Sequence, residues 1–196
     1  RAQYYMLSGK PAPAQELASR WAGLVNAQAD PGRAIEIQHM FWTNNFFLGE
    51  TAAAYDHAER AIGLYDPDRD HYLTYKYSGH DPGVCCRCFA GLSAWLAGEP
   101  DEARLRCQDA MGLAERLEHP MSMALAYWGT SYLHMFAGNP EAALRAAESE
   151  LQIAEKFQLP LIVGQAAFQV GWGQFRLGER EAGLRGMEEA ISAIRR

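Results

Sequence analysis

The chain has little positive charge and few cysteines, and both shortages exclude classes of function. Its 18 lysines and arginines are outnumbered by 24 aspartates and glutamates, which gives a net charge of −6 over 196 residues. A protein of this charge lacks the basic field that attracts phosphates, so nonspecific nucleic-acid binding is not expected. The four cysteines are too few and too clustered for a disulfide-stabilised secreted scaffold, which predicts a reducing cytoplasm. They are Cys85, Cys86, Cys88 and Cys107.

Long apolar runs suited to a membrane are also missing. Residues 119–140 and 157–175 carry no Asp, Glu, Lys or Arg, and each is about as long as a membrane span. Glutamines, glycines and Pro160 interrupt them, however, and a bilayer offers no water to satisfy such groups. Both stretches are predicted to be helices packed between other helices, and no membrane partner is expected.

Signatures of catalysis are absent as well. The chain has no G-x-x-x-x-G-K-[ST] phosphate loop, no H-E-x-x-H motif and no G-x-S-x-G motif, and its six histidines are scattered. Glu148 and Glu150 are nearly adjacent on one helix and are expected to point into solvent. The sequence therefore predicts no catalytic residue, no cofactor and no metal ligand in this segment.

One cluster invites a metal or redox interpretation. Cys85 and Cys88 have C-x-x-C spacing, and His80 lies just upstream. A redox motif of this kind belongs in a β-α-β setting, and structural zinc requires a fourth ligand, neither of which the sequence provides. Thiols are also small apolar fillers, and that role is the favoured one here.

A glycine recurs at a nearly fixed interval along the chain. The intervals between successive glycine markers are 40, 49, 40 and 40 residues. The markers are Gly9, Gly49, Gly98, Gly138 and Gly178. Five residues after each marker the side chain is very small, as Ala14, Ala54, Ala103, Ala143 and Gly183. This pattern indicates helix–turn–helix units in which glycine adopts positive φ in the turn and small residues let the two helices approach closely.

The repeat predicts an all-α fold of about nine helices. These are expected near residues 13–29, 33–48, 51–65, 82–97, 101–118, 121–137, 141–157, 161–177 and 180–195. The one long interval is explained by an irregular insertion over 66–81. Asp81 and Pro82 are predicted to begin the helix that follows it, with Asp81 as the N-cap.

The organisation predicted is a single solenoid over residues 1–196. It consists of a half repeat at 1–29, full repeats at 30–65, 82–118, 119–157 and 158–196, and the insertion. Because Gly9 is in phase with the other markers, the chain is expected to start inside a repeat and to be a fragment of a longer multidomain protein.

The spacing resembles the tetratricopeptide repeat in its longer, roughly 40-residue bacterial form. Gly91, Gly98 and Ala103 follow that spacing within one unit, as do Ser131, Gly138 and Ala143, and Gly171 and Gly178. The resemblance implies a right-handed α-α superhelix of helical hairpins.

A closer resemblance is carried by a succession of motifs. They are Leu64-Tyr65-Asp66-Pro67, His80-Asp81-Pro82-Gly83-Val84, Trp95 to Ala103, and Glu118-His119-Pro120. The series is similar to the C-terminal repeats of bacterial class III adenylate/guanylate cyclase–ATPase proteins. The resemblance implies that the cyclase and ATPase domains lie upstream and that this segment has no enzymatic activity of its own.

The main candidate for a binding surface is a row of mostly apolar residues, spaced four apart on the first helix of each of the last three hairpins. Its residues are Cys88, Leu92, Trp128, Tyr132, Phe136, Phe168, Trp172 and Arg176. In the repeat family these phases tend to line a concave groove, and an apolar, aromatic groove suits an apolar peptide, an amphipathic helix or another domain of the same chain. An equally strong alternative is that the aromatics are core between stacked helices.

Together these observations predict a non-catalytic protein-interaction or regulatory region of a bacterial signalling protein. Its partner is expected to be a protein or peptide, a second copy of the chain included. The alternative is a ligand- or peptide-sensing repeat domain of an ATP-dependent transcription regulator, with a small molecule held by Trp128, Tyr132, Phe168 and Trp172.

Overall fold

The computed structural model describes Tyr5 and residues 8–24 and 30–195, and every regular element in these ranges is helical. The α-helices are α1 (Pro11–Ala22), α2 (Pro31–Leu48), α3 (Thr51–Leu64), α4 (Pro67–Asp70), α5 (Pro82–Leu96), α6 (Pro100–Leu117), α7 (Pro120–Phe136), α8 (Pro140–Lys156), α9 (Pro160–Arg176) and α10 (Arg180–Ile194). The predicted all-α fold is confirmed. Most of the leading residues 1–9 and the expected end of the first helix at 25–29 lie outside the described ranges.

The turn inside each hairpin is built on the repeated glycine, as predicted. Gly49, Gly98, Gly138 and Gly178 adopt φ values of 83°, 87°, 68° and 105°. In each case the next residue's N–H donates to the carbonyl five residues before it, as Glu99 does to Ala94 at 2.9 Å. This is the hydrogen bond of a Schellman motif, which satisfies carbonyl groups at a helix end.

The chain forms two compact units, residues 1–106 and 107–196. In the first unit α2 packs against α1 and α3, and α5 packs against both α2 and α3. Small residues at the predicted contact points are buried there, among them Ala14, Ala54 and Ala58. The largest fully buried side chain of this unit is that of Trp42.

The insertion at 66–81 is more ordered than the sequence predicts. It contains α4 and a π-helical turn at Thr74–Ser78. Asp66 caps α4, since its side chain accepts from the backbone N–H groups of Asp68 and Arg69. The expectation of an irregular segment is thus corrected, because Asp66 and Pro67 begin a helix here as well as ending the one before.

In the second unit, consecutive helices pack in chain order from α7 to α10. Helices α9 and α10 approach each other closely where Gly171 faces Gly183. A Cβ atom on Gly183 would lie 2.5 Å from the Gly171 carbonyl oxygen, so the two backbones are almost in contact. Within the described residues, none of the helices combines the length and apolarity that crossing a membrane requires.

Candidate functional site

Three aromatic residues run along α7 at steps of four. The ring centroids of Trp128 and Tyr132 are 5.1 Å apart, and those of Tyr132 and Phe136 are 6.1 Å apart. Trp128 and Tyr132 are partly buried, while Phe136 is 40% exposed. The three rings therefore form a continuous row that reaches solvent at its Phe136 end.

The same phase on α9 carries Phe168, Trp172 and Arg176. Phe168 and Trp172 are partly buried, and Arg176 is exposed with its guanidinium 5.2 Å from the centre of the Trp172 ring. Helices α7 and α9 both pack on α8 and also contact each other directly. The six residues Trp128, Tyr132, Phe136, Phe168, Trp172 and Arg176 are called the aromatic face below.

The two other predicted groove residues belong to the core. Cys88 is 0% exposed and Leu92 is 1% exposed, so neither can line an open groove. Both lie on α5, which is buried over most of its length because α2 and α3 pack against it. The candidate surface is accordingly limited to the second unit.

A buried polar pair lies next to the aromatic face. Gln169 Nε2 donates to Glu150 Oε2 at 2.8 Å, and both side chains are 0% exposed. Burial raises the pKa of Glu150 to about 8, and its charge contributes to raising the pKa of Tyr132, after burial of that ring. The expectation that Glu150 points into solvent is wrong, although Glu148 is exposed as predicted.

Two unpaired oxygen atoms of this pair agree with a raised pKa of Glu150. Glu150 Oε1 and Gln169 Oε1 are buried without a hydrogen-bond partner. Both are acceptors when Glu150 is ionised, whereas a protonated carboxyl group becomes a donor. Neutral Glu150 is therefore the form that the fold stabilises.

We expect this pair to make the second unit less stable as pH rises. The pKa of Glu150 is about 8 when folded, against an ordinary value of 4.5. Between these values the folded state holds a proton that the unfolded state lacks, so the free energy of unfolding falls by about 2 kcal/mol from pH 6 to pH 7.5. Chemical denaturation across this range measures it. The Glu150→Gln variant cannot titrate at this position, so an equally steep pH dependence in that variant would contradict the assignment.

A second cluster lies in the first unit. His39 Nε2 is 3.6 Å from Cys85 Sγ, and His80 completes a group whose three potential ligand atoms lie within 4.8 Å of one another. The His39 ring stacks on Trp42, with centroids 4.6 Å apart. The sequence pairs Cys85 with Cys88, but the structure brings Cys85 to His39 and His80 and leaves Cys88 out of the group.

Cys85 and His39 stabilise each other's charged form. Burial alone would lower the pKa of His39, but the nearby Cys85 raises it to about 10. Burial would likewise raise the pKa of Cys85, but His39 and His80 lower it to about 6.

Asp81 begins α5 as predicted and also binds the preceding insertion. Its Oδ1 accepts from the Val84 backbone N–H at 3.1 Å, which is the N-cap hydrogen bond. Its Oδ2 accepts from the Tyr65 hydroxyl at 2.8 Å and lies 2.9 Å from His71 Nδ1. Asp81 is 0% exposed, so these contacts are structural.

Comparison with solved structures agrees with a repeat fold. The chain is similar to a Rap protein crystallised with Competence and Sporulation Factor, with a TM-score of 0.80, 15% identity, and coverage of 98% of this chain and 52% of that one. It is also similar to the TPR-like repeats of a putative kinesin light chain of Podosopora anserina, with a TM-score of 0.59, 15% identity, and coverage of 98% and 90%. These likenesses show an all-α fold of tetratricopeptide-like hairpins.

Sequence comparison is more limited. No family profile matches the chain. An uncharacterised protein of Rhizobium meliloti is 26% identical over 95 residues, which cover 48% of this chain and 9% of that protein. The chain thus spans about half the length of the Rap structure, and the match covers less than a tenth of the curated relative.

Proposed function

We propose that this chain is a non-catalytic protein-interaction region and that its aromatic face binds an apolar segment of a partner. The observation that carries the proposal is the partly buried row of rings on α7, which ends at the exposed Phe136, together with Phe168 and Trp172 at the same phase on α9. Phe136, at the end of that row, is 40% exposed and is accessible to a partner. The Rap protein of similar fold, which was crystallised with a factor, supports a peptide or protein as the partner.

The composition of the aromatic face indicates the chemistry of the partner. Five rings offer a large apolar area with little rotamer freedom to lose, which is typical of binding hot spots. Arg176 adds one cation at the edge, so a peptide with apolar side chains and a nearby carboxylate fits best. An amphipathic helix that presents apolar residues at steps of three and four meets this description.

The wider context of the proposal is a cytoplasmic bacterial signalling protein, with a nucleotide cyclase–ATPase as its specific form. None of the four cysteines forms a disulfide, which suits a reducing compartment. The Rhizobium meliloti relative is far longer than the matched region, which fits a repeat segment inside a multidomain chain. In such a protein, another domain of the same chain is one source of the apolar segment.

The proposal is tested by removing two rings and measuring both affinity and stability. Peptides are first selected from a random-sequence library for binding to the chain. In the Trp128→Ala/Trp172→Ala double variant, we expect the selected peptides to bind at least about 100-fold more weakly, since two hot-spot rings contribute about 1.5 to 2 kcal/mol each. The free energy of unfolding is expected to fall by less than about 2 kcal/mol, because both rings are only partly buried.

Trp21 supplies the matched control. It is 47% exposed and lies on α1 in the other unit. The Trp21→Ala variant should bind the same peptides with unchanged affinity. A loss of several kcal/mol of stability in the double variant would instead identify the rings as core, and unchanged peptide affinity would remove the aromatic face as the binding site.

A further inference from the structure

We propose that His39, His80 and Cys85 bind one Zn²⁺ ion in the first unit. The three residues come from separate places in the chain: the middle of α2, the residue before the Asp81 N-cap, and the first turn of α5. Each contributes one ligand atom to a group within 4.8 Å. The proposal is independent of the aromatic face, which lies in the other unit.

The donor set matches the preferences of zinc. Thiolate sulfur and imidazole nitrogen are its usual protein ligands, and three protein ligands leave the fourth tetrahedral position to water or an exchangeable group. His80 Nε2 is buried without a hydrogen-bond partner, so this nitrogen is available to an ion. The hard cations Mg²⁺ and Ca²⁺ prefer oxygen ligands and are disfavoured here.

The observed spacing also suits a tetrahedral ion. Zinc lies about 2.3 Å from sulfur and about 2.0 to 2.1 Å from nitrogen, which places a sulfur and a nitrogen about 3.6 Å apart across a tetrahedral angle. The distance from His39 Nε2 to Cys85 Sγ is 3.6 Å. Those two ligand atoms already have the required separation, and the ligand atom of His80 lies within 4.8 Å of both.

The surroundings of His39 resemble the outer shell of a metal site. Its other nitrogen, Nδ1, lies 3.6 Å from Glu36 Oε2 and 3.4 Å from Ser78 Oγ. In metal sites a carboxylate on this side of the ring commonly orients the imidazole so that the other nitrogen faces the ion. Trp42, stacked on the ring, holds its orientation.

Glu36 adds a further buried oxygen next to the cluster. It is 8% exposed, and its Oε1 has no hydrogen-bond partner. The ion would connect α2 to the end of the insertion and the start of α5, and its binding would stabilise the first unit.

The test uses the whole chain, purified under reducing conditions and stripped with a chelator. Zn²⁺ is added and quantified after dialysis, and Co²⁺ serves as a spectroscopic probe. We expect one Zn²⁺ per chain, bound with sub-micromolar affinity, and a Co²⁺ spectrum with intense tetrahedral bands and a thiolate charge-transfer band. The melting temperature should rise when Zn²⁺ is added.

Ligand variants locate the site. His80→Gln is the first choice because His80 is partly exposed and its replacement leaves the core intact. It should weaken Zn²⁺ binding more than about 100-fold, and Cys85→Ala should abolish the charge-transfer band. Glu36→Gln should weaken binding about 10- to 100-fold. Cys86→Ala and Cys88→Ala, in the same buried helix, should bind Zn²⁺ like the parent chain.

Two results would overturn the proposal. One is the absence of stoichiometric Zn²⁺ binding in the parent chain, which would leave a thiolate–imidazolium hydrogen bond as the full description of the cluster. The other is binding that His80→Gln and Cys85→Ala leave unchanged, or a Co²⁺ spectrum without sulfur character. Circular dichroism of each variant establishes that a loss of binding occurs in a folded chain.

Discussion

Replacing Asp81 with alanine is expected to lower the free energy of unfolding of the first unit by about 3 kcal/mol or more. The substitution removes a fully buried carboxylate that accepts from the Tyr65 hydroxyl and from the Val84 backbone N–H. Each donor left buried without a partner carries a penalty of about 1 to 3 kcal/mol. Urea denaturation followed by circular dichroism measures the loss.

Asp30 provides a matched control for this prediction. Like Asp81, it precedes a proline, caps a helix and accepts from the backbone N–H three residues on, that of Arg33 at 3.0 Å. Its side chain is 43% exposed, however, so Asp30→Ala should cost only about 1 kcal/mol, the usual value of an N-cap. Equal losses in Asp30→Ala and Asp81→Ala would show that the contacts with Tyr65 and His71 contribute nothing beyond the cap.

The second large effect is expected at the contact between α9 and α10. In Gly183→Ala the new methyl group would lie 2.5 Å from the Gly171 carbonyl oxygen and 2.6 Å from the Phe175 backbone nitrogen. Backbone atoms in packed helices cannot move aside cheaply, so the helices must separate. Overpacking of this kind costs about 1 to 3 kcal/mol, and we expect the upper end of that range after the gain in helix propensity.

Gly186, one turn later in α10, tests whether the loss of stability in Gly183→Ala comes from the close helix contact. A Cβ atom there would have Gly171 Cα at 3.7 Å as its nearest neighbour, an ordinary contact distance. Gly186→Ala should therefore raise the free energy of unfolding by about 0.5 to 1 kcal/mol, because alanine favours the helix more than glycine does. The account of helix packing fails if both variants change stability in the same direction, as measured by thermal and urea denaturation.

The repeat in the sequence was sufficient to predict most helices and turns. A glycine that ends a helix by adopting positive φ leaves a local signature, and small residues five positions later mark where the next helix approaches. Glu118 and Gln158 are harder to predict, because they adopt φ values of 50° and 55° without being glycine. These two residues lie in turns between hairpins. Their backbone is left-handed like that of the marker glycines, but no glycine in the sequence indicates it.

Burial within the site could not be predicted from phase alone. Cys88 and Leu92 share the repeat phase of Trp128 and Tyr132, but the packing of α2 and α3 against α5 places them in the core. The sequence predicts that Glu150 is a surface residue. In the structure it is buried against Gln169, which lies 19 positions later. Cys85 and His39 are 46 positions apart in the sequence, and no local motif indicates that they meet.

The central claim is that the aromatic face is the binding surface, and the indole N–H signals of the five tryptophans test it most directly. A nitrogen–proton NMR spectrum is recorded while a selected apolar peptide is added to the chain. The account predicts shifts of the Trp128 and Trp172 signals, with Trp21 and the fully buried Trp42 unchanged. Saturating binding that leaves the signals of Trp128 and Trp172 in place would contradict it.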